Sequence, residues 1–147
     1  MLELSAQESE VFACMDTPPK QTVVVVIDDS PTICKILETS LSRVGYEVVS
    51  YLNPVQALQV LFRGEVARPD VLLVNLVLPQ MNGYEVMRHL RAKPEFKAVP
   101  IIAITGREGM LDRLKARLAG ANDYVIKPFK TQHIVDLVQK YTSPASN

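Results

Sequence analysis

Apolar and polar positions along this chain follow two periods in turn. Five short runs rich in apolar and β-branched residues, at 23–27, 47–51, 71–74, 100–105 and 124–126, read as strands. Between them apolar residues recur at helical spacing: Ile33, Ile36, Leu37, Leu41 and Val44, then Met110, Leu111, Leu114 and Leu118, then Ile134, Leu137, Val138 and Tyr141. The pattern predicts a fivefold alternation of strand and helix.

The punctuation agrees with that reading. Ser30-Pro31 supplies an N-cap followed by proline in a first helical turn, and Gly45 and Gly120 follow the last periodic residues of their helices. The runs at 23–27 and 71–74 are apolar on both faces, as central strands of a covered parallel sheet must be. Right-handed crossovers then give an open, doubly wound α/β sheet, flavodoxin-like, of order 2-1-3-4-5. Its switch point lies between strands 1 and 3, where ligands gather at the carboxyl ends. Residues 23–141 form this unit. Residues 1–22 read as a tail and linker ending in the stiff Thr17-Pro18-Pro19-Lys20, and 142–147 as a short tail. Leu4, Val11, Phe12 and Met15 allow an amphipathic helix in the first segment, although its composition favours disorder.

A length of 147 residues suits one domain with a real core. Lysine plus arginine and aspartate plus glutamate number 16 each, so no global charge recruits nucleic acid or a membrane. Cys14 and Cys34 lack metal-site or CxxC spacing, and no signal peptide or long apolar span is present. A cytoplasmic protein with reduced thiols is expected. With six residues after Tyr141, no DNA-binding module is expected either.

The carboxyl ends of strands 1, 3, 4 and 5 carry Asp28-Asp29, Asn75, Thr105 and Lys127-Pro128. Two acids suit Mg²⁺, Asp29 directly and Asp28 through water, with Lys127 as counter-charge and Thr105 as donor to a phosphoryl oxygen. The blander reading makes Asp28-Asp29 helix-capping acids and Lys127 a solvated lysine. The agreement of all four strand ends argues against it. His89 and His133 have no ligand partner at metal spacing, and Arg107, Arg113, Lys115 and Arg117, diluted by Glu108 and Asp112, read as a solvated helix face.

The segments VVVVIDDSP, DVLLVNLVLPQMNGYEV, PIIAITG and GANDYVIKPF resemble the receiver domain of two-component response regulators. The likeness is greatest to single-domain receivers of type IV pilus and chemotaxis-like systems. The resemblance implies that Asp28, Asp29 and the Val77 carbonyl bind the metal, that Thr105 moves onto a phosphoryl group, and that Tyr124 is an aromatic switch. It further implies a cis Lys127-Pro128 bond, a histidine kinase or phosphorelay partner, and an output face built from helix 4, strand 5 and helix 5.

One position departs from the pattern. The family's phosphoacceptor is aspartate, and here it is Asn75. Carboxylate attack on phosphorus yields an acyl phosphate, whereas an amide has no full negative charge and would give an unstable imidate. Two functions follow: a signalling module that binds partners without phosphorylation at Asn75, or an ordinary phospho-accepting regulator carried as an Asp-to-Asn variant. With one formal charge fewer, Mg²⁺ binding is expected to be weak or absent. Enzymes of other classes fit poorly: Ser30 stands where an aspartyl phosphohydrolase has its second acid, DDSP would repel a flavin phosphate, and GxGxxG is missing.

Overall fold

The computed structural model describes residues 21–64, 66–106 and 109–143. The tail expected at 1–22 and that at 142–147 lie largely outside them. In chain order the elements are β1 (Val23–Ile27), α1 (Pro31–Ser42), β2 (Glu47–Tyr51), α2 (Pro54–Arg63), β3 (Val71–Asn75), α3 (Gly83–Arg91), a 3₁₀ turn (Pro94–Phe96), β4 (Ile101–Thr105), α4 (Met110–Ala119), β5 (Asp123–Ile126) and α5 (Thr131–Thr142). The strands are all parallel, in the order β2-β1-β3-β4-β5. This is the flavodoxin-like arrangement that the alternating pattern predicts.

Strand alternation splits the core in two. Val23, Val25 and Ile27 of β1 face α2, α3 and α4, together with Leu72, Val74, Ile101 and Ala103. Val24 and Val26 face α1 and α5, together with Val71, Leu73, Ile102 and Ile104. Burial of each such side chain is worth about 1.5–3 kcal/mol, which is why the central strands tolerate no polar residue before their ends.

Capping fixes where helices begin. The side chains of Ser30, Asn53 and Asn82 accept hydrogen bonds from the backbone N–H groups of Ile33, Gln56 and Glu85, at 3.3, 3.0 and 2.9 Å. Gly64 and Gly120, at φ 71° and 122°, end α2 and α4 in conformations that L side chains avoid.

Two expectations about apolar stripes change. Val44 lies beyond the end of α1, because the chain turns off the helix through Gly45 (φ 108°), and it is exposed. In α4 the residues seated on the core are Ala116 and Ala119, while Met110, Leu111, Leu114 and Leu118 point outward. Periodicity finds a stripe without saying which side meets the sheet. Here the small side chains allow the close approach to α3 and the strands.

Candidate functional site

The carboxyl ends of β1, β3, β4 and β5 bring the expected residues to one rim. Asp28 and Thr105 are 1% exposed and Asn75 is 6% exposed, whereas Asp29 is open to solvent. Asn75 is itself the last residue of β3, in register with Ile104. Leu76 then bonds the Ile104 carbonyl, so the backbone on either side of the amide is held by β4.

Asp28 has both oxygens occupied. Oδ1 accepts from the Ser30 N–H at 2.9 Å, and Oδ2 pairs with Lys127 Nζ at 3.3 Å. The lysine therefore sits beside the buried acid, and its own N–H donates to the Thr105 carbonyl at 2.7 Å. The Lys127-Pro128 bond is cis, as the family resemblance implies.

The amide of Asn75 is the centre of the arrangement. Its Nδ2 donates to Val77 O at 2.9 Å, to Asp29 Oδ1 at 3.3 Å and to Asp28 Oδ1 at 3.4 Å. Its Oδ1 accepts from the Val77 N–H at 3.4 Å. The opposite amide orientation would set a carbonyl oxygen against two carboxylates and a carbonyl, none of which can donate, so the hydrogen-bond pattern fixes the orientation.

A hard cation such as Mg²⁺ takes only oxygen ligands, at about 2.1 Å. Asp28, Asp29 and the Val77 carbonyl do converge on one point, but that point holds the NH₂ group of Asn75. Turning the amide would instead bring its Oδ1 beside those three oxygens, so the residues could hold the ion only at the expense of these hydrogen bonds. Among the described residues no group of three or more His, Cys, Asp or Glu could hold a metal elsewhere. His89 and His133 are simply exposed on their helices.

Tyr124 is half-buried, and its phenol is pushed above the usual tyrosine range, first by burial and next by Asp112. A side-chain hydrogen bond to Thr105 and the nearby Arg113 work the other way. The Arg113 guanidinium lies over the Tyr124 ring, 5.6 Å from its centroid. Thr105 and Tyr124 are thus in contact at the top of the sheet, beside α4.

Two supporting residues escape a reading of the sequence. A Cβ on Gly83 would collide with the Asn75 carbonyl oxygen and with Leu76 Cα, so only glycine lets the first turn of α3 close over the amide's backbone. The Asn82-Gly83 pair was the available signal, since it marks a turn and a helix start. Arg91 gathers the opposite rim. It donates to the carbonyls of Phe96 (2.6 Å), Val99 (2.7 Å) and Gly120 (2.7 Å) and to Asn122 Oδ1 (2.8 Å), and burial lowers its pKa. Nothing in the local sequence distinguishes it from the exposed Arg88.

A sheet of this order with acids at β1, a polar side chain at the end of β3 and a lysine before a cis proline after β5 defines a receiver. The chain belongs to the response regulator receiver domain family, which matches residues 24–139. It is similar to protein PilG of Pseudomonas aeruginosa, 29% identical over 118 residues that cover 80% of this chain and 85% of PilG. Among solved structures it is similar to the chemotaxis protein CheY4 of Vibrio cholerae, with 26% identity, a TM-score of 0.76, and coverage of 82% of this chain and 98% of the other. It is also similar to the receiver domain of the sensor histidine kinase PA1611 of P. aeruginosa, with 31% identity, a TM-score of 0.73, and coverage of 82% and 97%. That receiver has a magnesium ion coordinated in its active-site cleft.

Proposed function

We infer that this protein is a stand-alone receiver-like module of a two-component or phosphorelay pathway that acts by protein–protein contact, without phosphorylation at Asn75 and without enzymatic activity. The observation that carries the reading is the amide of Asn75 donating to Asp28, Asp29 and Val77 together. Its NH₂ group is shared among the acceptors that a cation would otherwise bridge, and the site carries one formal negative charge fewer than it would with aspartate at 75, so Mg²⁺ binds weakly or not at all. Asp28, Asp29, Asn75 and Val77 remain the metal-site positions, and Thr105, Tyr124 and Lys127 the switch positions.

The expected partners are a histidine kinase or phosphorelay protein and a downstream protein that meets the α4–β5–α5 face, in the cytoplasm. The likeness to PilG and CheY4 over most of their lengths supports a single-receiver design. Retention of Lys127 beside Asp28 and of Thr105 favours a second reading, a phospho-accepting regulator in which asparagine replaces aspartate at 75. The codon at position 75 in the source gene separates natural asparagine from an introduced one. Intact mass after exposure to acetyl phosphate and Mg²⁺ tests the rest: the mass stays unchanged, and a stoichiometric phosphoryl adduct on the asparagine protein would overturn the proposal.

A further inference from the structure

Helix α4 is assembled inside out. Its large apolar side chains Met110, Leu111, Leu114 and Leu118 are 86, 75, 51 and 79% exposed, while Ala116 and Ala119 are buried. At 100° per residue the four exposed residues fall within an arc of about 100°, flanked by Arg113 and Arg117 on one side and Lys115 on the other. The other exposed large apolar residues of the described chain, such as Ile36, Val49, Leu52, Val55 and Val77, are spread over separate elements. A continuous apolar stripe of this kind marks a surface meant to be covered.

The chain carries a segment of matching chemistry. Residues 2–16 include Leu2, Leu4, Val11, Phe12 and Met15, and they include Glu3, Glu8, Glu10 and Asp16 with no lysine or arginine. An acidic, apolar segment complements an apolar stripe bordered by three cations.

The reach is right as well. β1 and β5 are parallel strands of one sheet with β3 and β4 between them, so their starts, Val23 and Asp123, lie on the same rim about 14 Å apart at about 4.8 Å per strand. The C-terminal turn of α4 immediately precedes Asp123. Gln21 and Thr22 lie beside β2, through Gln21 Nε2 to the Gly45 carbonyl and the Glu47 N–H to the Thr22 carbonyl, so the linker proper is residues 17–20, which can span about 12 Å at the polyproline rise of about 3.1 Å per residue. The last few residues of the acidic segment would make up the remaining distance to the lower end of α4, at up to about 3.3 Å each. About twelve further residues, even in helical form at 1.5 Å each, would cover about 18 Å, more than the roughly 15 Å of α4 itself.

We propose that residues 2–16 fold back onto the exposed apolar face of α4 in the same molecule and cover the surface beside Tyr124. The segment is then a built-in competitor for whatever binds α4 and β5. The idea does not depend on whether Asn75 accepts phosphate.

Cys14 provides the probe, because Cys34, the free thiol of the folded core, is buried. A nitroxide placed on Cys14 of the full chain is read out by the backbone amide signals of isotopically labelled protein. Signals of α4 and β5 lose most of their intensity while those of α1, on the other face of the sheet, keep theirs, and the loss is independent of protein concentration. The double variant Leu114→Glu, Leu118→Glu changes two exposed positions, keeps the wild-type spectrum for the core, and recovers the intensities. Added salt recovers them in part, since the flanking charges are exposed. Undiminished α4 signals would overturn the proposal. So would broadening that appears only when labelled chains are mixed with separate nitroxide-bearing chains, which would identify a second copy as the occupant.

Discussion

Replacing Asn75 with aspartate exchanges a hydrogen-bond donor for a negative charge at the point where three acceptors converge. The amide nitrogen stands 3.4 and 3.3 Å from the carboxylate oxygens of Asp28 and Asp29. At that separation each new charge pair costs about 5 kcal/mol with an effective dielectric of 20, and Lys127 offsets part of one of them. The protein escapes most of this by protonating the introduced carboxyl. Holding an ordinary aspartate protonated at pH 7 costs about 1.36 kcal/mol for each of roughly three units, so the loss is capped near about 4 kcal/mol. At pH 5 the same cap is about 1.5 kcal/mol. The introduced carboxyl has its folded-state pKa raised, so the folded state keeps a proton that the unfolded state gives up. The penalty is therefore absent below the ordinary aspartate range and grows as pH rises through the folded value. Urea unfolding of both proteins in chelator at pH 5 and pH 7 measures it. Mg²⁺ at a hundredfold its dissociation constant returns about 2.7 kcal/mol to the variant and much less to the wild type. Equal midpoints at pH 7 without metal, or equal shifts on adding Mg²⁺, would refute the reasoning.

Three further outcomes follow from the packing. Arg91→Met leaves the carbonyls of Phe96, Val99 and Gly120 without their shared donor and lowers stability by about 3 kcal/mol, read from the denaturant midpoint. Gly83→Ala forces backbone at Asn75 and Leu76 to move and costs about 1–3 kcal/mol, measured as a fall in melting temperature. Burial raises the phenols of Tyr51, Tyr124 and Tyr141, so the stability they contribute is present below the ordinary tyrosine pKa of about 10 and is lost as pH climbs through their folded values. Unfolding midpoints between pH 9 and pH 11 report that decline, and Tyr124→Phe makes it shallower.

The lesson of the apolar patterns differs between elements. Strands at 23–27 and 71–75 are buried on both faces, so their apolar runs are forced, and the polar residues that follow or end them, Asp28 and Asn75, stand out at once. The same logic made Asp28, Asp29, Asn75, Thr105 and Lys127 legible as one rim, because parallel strands end on the same side. Helices are less explicit. In α1 the stripe of Leu37 and Leu41 is the core, but in α4 an equally regular stripe is solvent-facing, and two alanines do the packing. Gly83 and Arg91 were hidden for another reason. Their partners are mostly backbone atoms of other elements, and a backbone carbonyl leaves no trace in a sequence.

Local composition and periodicity were enough to determine the alternation of elements and the set of residues at the strand ends, since these depend on which side chains must leave water, while the sheet order followed from the usual way right-handed crossovers arrange five parallel strands. Composition could also say that position 75 carries an amide. That the amide hydrogens of Asn75 point at Asp28, Asp29 and Val77 together, and that α4 turns its leucines outward, was decided by the tertiary structure. Both depend on distances of a few ångströms between segments far apart in the chain. Such distances are set by the packed whole, not by the order of its residues taken locally.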